Sequence, residues 1–283
     1  MKRRFQQVDV FGAKPFLGNP LAVVLDAEGL STEEMQRITR WMNLSETAFI
    51  LPPRDASADY RVRIFTLTHE LPFAGHPTLG SCHAWLSSGI QPKQQDLIVQ
   101  ECGAGLVSIK RAAEGLAFAA PPLLRSGQVD AAYTEQLAAV LGIDRSQIVD
   151  TAWADNGPGW VGLLREDAAT VLAIEADFSR YSGSESLDIG LVGSYPQGSE
   201  CAFEVRALFR NQQGAMVEDP VTGSLNASLA EWLIATGRAT APYVVSQGTR
   251  LGCEGRLNIQ QSADGTVWVG GATVTCIAGE IQI

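Results

Sequence analysis

Glu70-Leu71-Pro72-Phe73-Ala74-Gly75 and Glu218-Asp219-Pro220-Val221-Thr222-Gly223 carry one pattern, with Glu, Pro and Gly at the same places, 148 residues apart in a chain of 283. Each block ends in a glycine that opens an apolar run, and the runs stop at Gly89 and Gly237, each 14 residues on. Solenoid repeats recur every 20–50 residues or so, so this longer period indicates two similar halves. The match extends outward. Val62-Arg63 pairs with Val205-Arg206 and Pro53 with Pro196 at an offset of 143, Gln100 with Gln247 at 147, and Gly115 with Gly265 at 150. Drifting offsets with a fixed element order are what small loop insertions in a duplicated domain produce.

The apolar runs read as helices over 76–88 and 224–236. In the first, Pro77 stands in the opening turn, where its missing N–H costs nothing. Leu79, Cys82 and Leu86 form one face, but the other faces carry Gly, Ser, Ala and Trp rather than charge. In the second, Glu231 is the only charged residue between Ser224 and Ile234. A helix without a polar face is wrapped on all sides. Each half therefore reads as strands, one long helix, then strands, with a sheet curled around the helix. Ser31-Thr32-Glu33-Glu34 is a capping box for an earlier helix, and Gly142 ends another over Tyr133–Leu141. Ala120-Pro121-Pro122 and the polar Arg125–Gln128 read as a linker, giving expected domains over 1–119 and 129–272.

Composition narrows the function. A net charge of −10 argues against nucleic acid and anionic membranes, which require clustered Lys and Arg. Hydrophobic content of 46% with 18% charged residues is that of a globular enzyme. No run approaches the roughly 18–20 apolar residues of a membrane span. Gln6, Gln7 and Asp9 break any signal-like continuation of Met1-Lys2-Arg3-Arg4, so a cytoplasmic location is expected. Five cysteines without a C-x-x-C pair fit reduced thiols better than disulfides or zinc.

A helix start offers N–H groups and partial positive charge to a carboxylate, and two related starts are expected to face one cleft between the domains. Shared residues of the repeat then shape the helix entries, and mismatched ones carry function: Leu71 against Asp219, Ala74 against Thr222, His76 against Ser224. Asp219 and His76 are thus a carboxylate and an imidazole beside opposite helix starts. Glu46, between a helix and an apolar strand, is a third candidate, since partial burial favours the neutral acid and suits a proton shuttle. At the local offset of 143 its partner is Ile189, with Asp188 one position away. The plainer alternatives are a helix-capping Asp219, a filler His76 and a solvated loop Glu46. His69, His76 and His83 recur every seven residues, yet no carboxylate completes a three-ligand metal set. Neither Gly12…Gly18 nor Gly75…Gly80 gives G-x-G-x-x-G, and neither Ser45 nor Ser224 sits in a G-x-S-x-G elbow.

Gly18-Asn19-Pro20-Leu21-Ala22-Val23-Val24, Leu44-Ser45-Glu46-Thr47-Ala48, the two blocks extended to His76 and Ser224, Gln247-Gly248 and Gly270-Gly271-Ala272 together resemble the PhzF family of the diaminopimelate-epimerase-like fold. The resemblance implies an α+β protein of two pseudo-symmetric domains, each a mixed β-barrel around a central helix, with the last strand, about 273–283, completing the first. It implies a cofactor-independent isomerase that shifts a proton on a small carboxylate-bearing metabolite in the interdomain cleft, and a homodimer. It assigns catalysis to Glu46, His76 and Asp219, and substrate binding to Asn19, Ser45, Gly75, Gly223 and Ser224. Related thiol epimerases carry cysteine just before each helix-start glycine. Ala74 and Thr222 stand there in this chain, which removes a two-thiol mechanism. A lyase such as a dehydratase, or a non-catalytic small-molecule binder, remains compatible with the same residues.

Overall fold

The computed structural model describes residues 1–181, 187–210 and 215–283. The chain forms two compact units, Met1–Ala119 with Val269–Ile283, and Ala120–Trp268. The first contains β1 (Lys2–Val10), β2 (Asn19–Val24), α1 (Thr32–Met42), β3 (Glu46–Leu51), β4 (Tyr60–Thr66), β5 (Glu70–Leu71), α2 (Gly75–Ser87), β6 (Leu97–Cys102), β7 (Gly105–Ala112) and β8 (Gly115–Ala119). The second contains β9 (Arg125–Gln128), α3 (Ala131–Leu141), β10 (Asp150–Asp155), β11 (Val161–Leu164), α4 (Ala168–Leu172), β12 (Asp188–Ser194), β13 (Phe203–Arg210), β14 (Met216–Asp219), α5 (Gly223–Ala235), β15 (Tyr243–Gln247) and β16 (Gly255–Gln261). Strand β17 (Val267–Gly271) leads the chain back, and β18 (Thr273–Gln282) belongs to the first unit.

The fold is α+β, with a mixed sheet curled around one central helix in each unit. In the first, the strand order is β8-β7-β6-β4-β3-β2-β1-β18, and the β4–β6 and β2–β3 pairs are parallel. In the second it is β16-β15-β13-β12-β11-β10-β9, with β13–β15 and β11–β12 parallel. Each strand thus has its counterpart, and β9 takes beside β10 the place that β18 takes beside β1. The segment read as a linker is therefore partly a strand. All four residues of β9 are exposed, so it carries no apolar alternation by which a sequence betrays a strand.

The central helices show why they lack polar faces. Helix α2 lies against β1, β2, β3, β6, β8 and β18, and ten of its residues, from Gly75 to Trp85, are buried. Outer helices cover the other side of each sheet. Met35 of α1 packs on Val24, Phe49, Leu51 and Phe65. Leu137, Val140 and Leu141 of α3 and Val171 of α4 pack on Val161, Leu163, Ile189, Leu191 and Leu208.

Registers repeat to the residue. Ile64 faces Leu71 and Phe65 faces Glu70; Ala207 faces Asp219 and Leu208 faces Glu218. The shared glutamate of the repeat now has its reason. Arg63 donates from Nε and Nη2 to Glu70 at 2.7 and 2.6 Å, and Arg206 donates in the same two-pronged way to Glu218 at 3.1 and 2.8 Å. Each pair straps the short strand before the central helix onto its neighbour.

Candidate functional site

The two central helices begin differently from the others. Helices α1, α3 and α4 are capped by Ser31, Asp130 and Asp167, whose side chains accept a first-turn N–H. The N-cap residues of α2 and α5, Ala74 and Thr222, make no such bond. Their first-turn amides carry the partial positive charge of the helix start without a cap from that residue, a setting that favours an anion. Gly75 and Gly223 are the first residues of these helices.

In the first unit, three predicted residues come together at the α2 start. Asn43, in the left-handed conformation, ends α1, and β3 begins three residues later with Glu46. Ala48 and Glu46 share the sheet face toward α2, while Phe49 and Leu51 face the outer cluster. Glu46 Oε2 lies 3.5 Å from His76 Nε2, with both side chains largely buried. Asn19 Nδ2 lies 3.4 Å from His76 Nδ1. An amide NH2 only donates, so Nδ1 accepts and the ring proton sits on Nε2, facing Glu46. Asn19 itself is placed by Asp9, whose Oδ2 accepts from Leu17 N and Gly18 N at 2.9 Å each. Ser45 is exposed in the turn before Glu46.

Burial pushes the His76 imidazole down to about 3, so it stays neutral. Its 3.5 Å contact with Glu46 is therefore a neutral donor facing a carboxyl group, not an ion pair. The linkage has a definite sign. Below the ordinary histidine value of 6.5 the unfolded chain takes up a proton that the folded chain refuses until about 3. Stability contributed by the neutral ring is thus lost as pH falls through that window, at up to about 1.4 kcal/mol per pH unit. His76→Asn is expected to flatten the acid limb of a stability–pH profile between pH 6 and 4, read by thermal unfolding. An unchanged slope would show that the ring protonates normally in the fold.

In the second unit, Thr222 replaces a cap with a network. Its Oγ1 donates to Asp219 Oδ2 at 2.5 Å and accepts from Gln247 Nε2 at 2.9 Å, while Gln247 Oε1 accepts from Thr222 N and Asn226 Nδ2. In the first unit, Gln100 Nε2 donates to Thr78 Oγ1 at 3.0 Å, and Thr78 precedes Asn226 by the same 148 residues. The matched glutamines hold the helix starts. Ser224 is half-buried, its Oγ accepting from Trp160 Nε1 at 3.1 Å and its carbonyl from Asn156 Nδ2 at 2.9 Å. The loop carrying those residues is anchored by Asp155 Oδ1, which accepts from Gly157 N and Gly159 N, as Asp9 anchors the loop of Asn19.

Sequence reading missed Asn156, Trp160 and the Asp9/Asp155 anchors. The aspartates are 146 residues apart, so the drifting offset held the signal. The three histidines each have their own surroundings: His69 meets Thr66 and Thr68, His83 meets Thr275, and His76 meets Asn19 and Glu46. Cys82, within α2, is buried, and burial pushes its thiol up to about 12; such a thiol is a poor nucleophile.

Comparison with known proteins gives the family. The family model described as phenazine biosynthesis-like protein, PhzC-PhzF, matches residues 8–279. The chain belongs to the PhzF family. It is an enzyme of the isomerase class. It is 33% identical to antisense-enhancing sequence 1 of Schizosaccharomyces pombe, over 98% of this chain and 97% of that one. It is 32% identical to an uncharacterized isomerase of Pasteurella multocida, over 99% and 94%. A trans-2,3-dihydro-3-hydroxyanthranilate isomerase of Pseudomonas aeruginosa is 52% identical over 29% of each chain. The solved PhzF-family protein of Bacillus anthracis superposes with a TM-score of 0.83 over the whole of both chains at 22% identity, and shares the fold. Among the described residues no helix is long and apolar enough to cross a membrane.

Proposed function

We propose that this PhzF-family isomerase moves a proton between two carbons of a small carboxylate-bearing metabolite without a cofactor. The observation that carries the reading is the largely buried Glu46–His76 pair at 3.5 Å, beside an α-helix start with no side-chain cap. Glu46 takes a proton from a carbon activated by a neighbouring carboxylate or double bond, the electron pair shifts along the conjugated system, and Glu46 returns the proton at the far carbon. No atom is gained or lost. Neutral His76, its Nδ1 engaged by Asn19, presents Nε2–H to the Glu46 carboxylate and orients it. The amides near Gly75 receive the substrate carboxylate, which also acidifies the carbon when its charge is held. Ser45 flanks the base. Asp219, Gly223 and Ser224 of the second unit enter this proposal through the repeat and the family resemblance, with Asp219 assisting proton movement and the other two binding.

The Pseudomonas relative's name supplies the first compound to try. Incubation of the protein with trans-2,3-dihydro-3-hydroxyanthranilate and related amino- or hydroxy-carboxylates in D2O is expected to give a product of unchanged formula with deuterium at one carbon. A product lighter by one water would establish a lyase in its place, and binding without deuterium entry a non-catalytic protein. A cytoplasmic homodimer belongs to the same proposal, and light scattering is expected to return twice the chain mass of 30.3 kDa.

A further inference from the structure

The strand registers set Trp160 against a residue of the first unit that sequence spacing does not reveal. In the β1–β2 pair Val8 faces Leu21 and Gln7 faces Ala22. Ala154 and Trp153 follow Val8 and Gln7 by 146 residues, the offset of the two loop-anchoring aspartates. Trp153 faces Val161, and Ala154 N donates to Trp160 O. Trp160 therefore takes in the second unit the place that Leu21 takes in the first. Both side chains are buried, Leu21 fully and Trp160 to 4% exposure, and each meets its own central helix. A Cβ built on Gly80 of α2 would run into Leu21, and Trp160 Nε1 reaches Ser224 of α5 at 3.1 Å. Leucine fills this place without a polar atom. The indole fills it and adds one N–H, directed at the first turn of the helix.

The polarity of that contact is fixed. An indole N–H only donates, whereas a serine hydroxyl both accepts and donates. Ser224 Oγ is therefore the acceptor, and its own hydrogen is turned away from Trp160. Among the described residues that hydrogen has no acceptor. The Ser224 backbone is held as well, its carbonyl accepting from Asn156 Nδ2 at 2.9 Å and from Ser228 Oγ at 3.2 Å. Asp155 Oδ1 fixes the loop that carries Asn156 and Trp160, accepting from Gly157 N and Gly159 N at 2.7 and 2.8 Å. Ser224 is half-buried, so its hydroxyl is a placed donor at the edge of solvent with a buried group behind it.

We infer that Trp160 is a positioning residue: it commits the Ser224 hydroxyl to donating, so that the ligand group received at the start of α5 is an acceptor such as a carboxylate oxygen. The inference rests on the proposed reading of Ser224 as a ligand-binding residue. It adds which way the hydrogen bond runs and what sets that direction. A serine without this neighbour turns its hydroxyl freely to meet a donor or an acceptor. The indole N–H removes that freedom, and an oxygen that already accepts is polarised into a stronger donor. A ring that only filled space would need no N–H, and Leu21 shows that the fold itself needs none.

The test uses the full chain and the N–H NMR signals of its six tryptophan indoles, assigned in the wild type, with anthranilate and acetate as carboxylate probes. Both probes are expected to shift the Trp160 signal saturably in wild type and to leave it in place in Ser224→Ala. Trp160→Phe, which keeps a buried ring, is expected to weaken anthranilate binding about fivefold, the worth of one neutral hydrogen bond. Ser224→Ala should weaken it about tenfold, because the lost donor served a charged acceptor. The double variant should be no weaker than Ser224→Ala, since residues that act through one another do not add. Wild-type affinity in Trp160→Phe, or two losses that multiply in the double variant, overturns the inference and leaves Ser224 as a ligand group. Wild-type affinity in Ser224→Ala removes the reading of Ser224 beneath it, and a wild type that answers neither probe removes both. The indole signal needs only wild type and Ser224→Ala, so it decides the outcome if Trp160→Phe folds poorly.

Discussion

Replacing Glu46 with Gln is expected to lower solvent-deuterium incorporation and turnover by a factor of about 10²–10⁴, the range a positioned general base supplies. The substitution keeps the side chain's volume and an oxygen that can accept from His76 Nε2, 3.5 Å away. Binding of a carboxylate ligand should therefore change little, which separates loss of the base from loss of the site. Full turnover by Glu46→Gln on an identified substrate would remove Glu46 from the mechanism. A parallel loss of binding would make it a ligand-holding group.

The second large effect is on stability. Glu218→Ala is expected to cost about 3–5 kcal/mol, because it leaves the Arg206 guanidinium buried without its counter-charge. The Arg206 and Glu218 side chains are only 6% and 11% exposed, and Arg206 Nη1 is also tied to the carbonyls of Val171 and Ile174. The matched pair in the first unit, Arg63 with Glu70, is 23% and 37% exposed, so Glu70→Ala should cost no more than about 1 kcal/mol. Denaturant midpoints of the two variants would show the contrast. Equal losses would mean that burial does not set the difference. The double change Arg206→Met with Glu218→Leu should recover most of the loss, since a well-packed apolar pair replaces a buried ionic one at little cost.

Much of this was written in the repeat, for reasons the structure supplies. Glu70 and Glu218 match because each holds an arginine that also matches. Gln100 and Gln247 match because each is bonded to the same turn of its helix. The uniformly apolar α2 and α5 foretold a wrapped sheet, since a helix buried on every face needs no charged stripe. What escaped reading lacked periodicity or kept none of its spacing. Strand β5 has two residues and β14 four, too few to alternate. The carboxylate equivalent to Glu46 was displaced because the connection from β12 to β13 is one residue longer than that from β3 to β4. A one-residue slip changes which face of a strand a side chain occupies, and so the linear offset paired Glu46 with Ile189 and left Asp188 one position away. The partner of Glu46 could be guessed by type, a buried histidine at a helix start, but the 3.5 Å approach is a product of folding that no spacing expresses.

The strand β18 has a consequence for how the molecule is made. It pairs with β1 from Lys2–Gln282 to Val10–Thr273, so a strand made before the second unit is matched by one made after it. Residues 1–119 emerge with the β1 edge bare, a template for pairing with another chain, and stay so until the second unit has been translated. That unit carries its own edge strand in β9, immediately ahead of α3, and can close as it is synthesised. The half bearing the Glu46–His76 pair is therefore the later to be sealed, and a nascent chain stalled before Thr273 would hold a finished second unit beside a first one still missing its border.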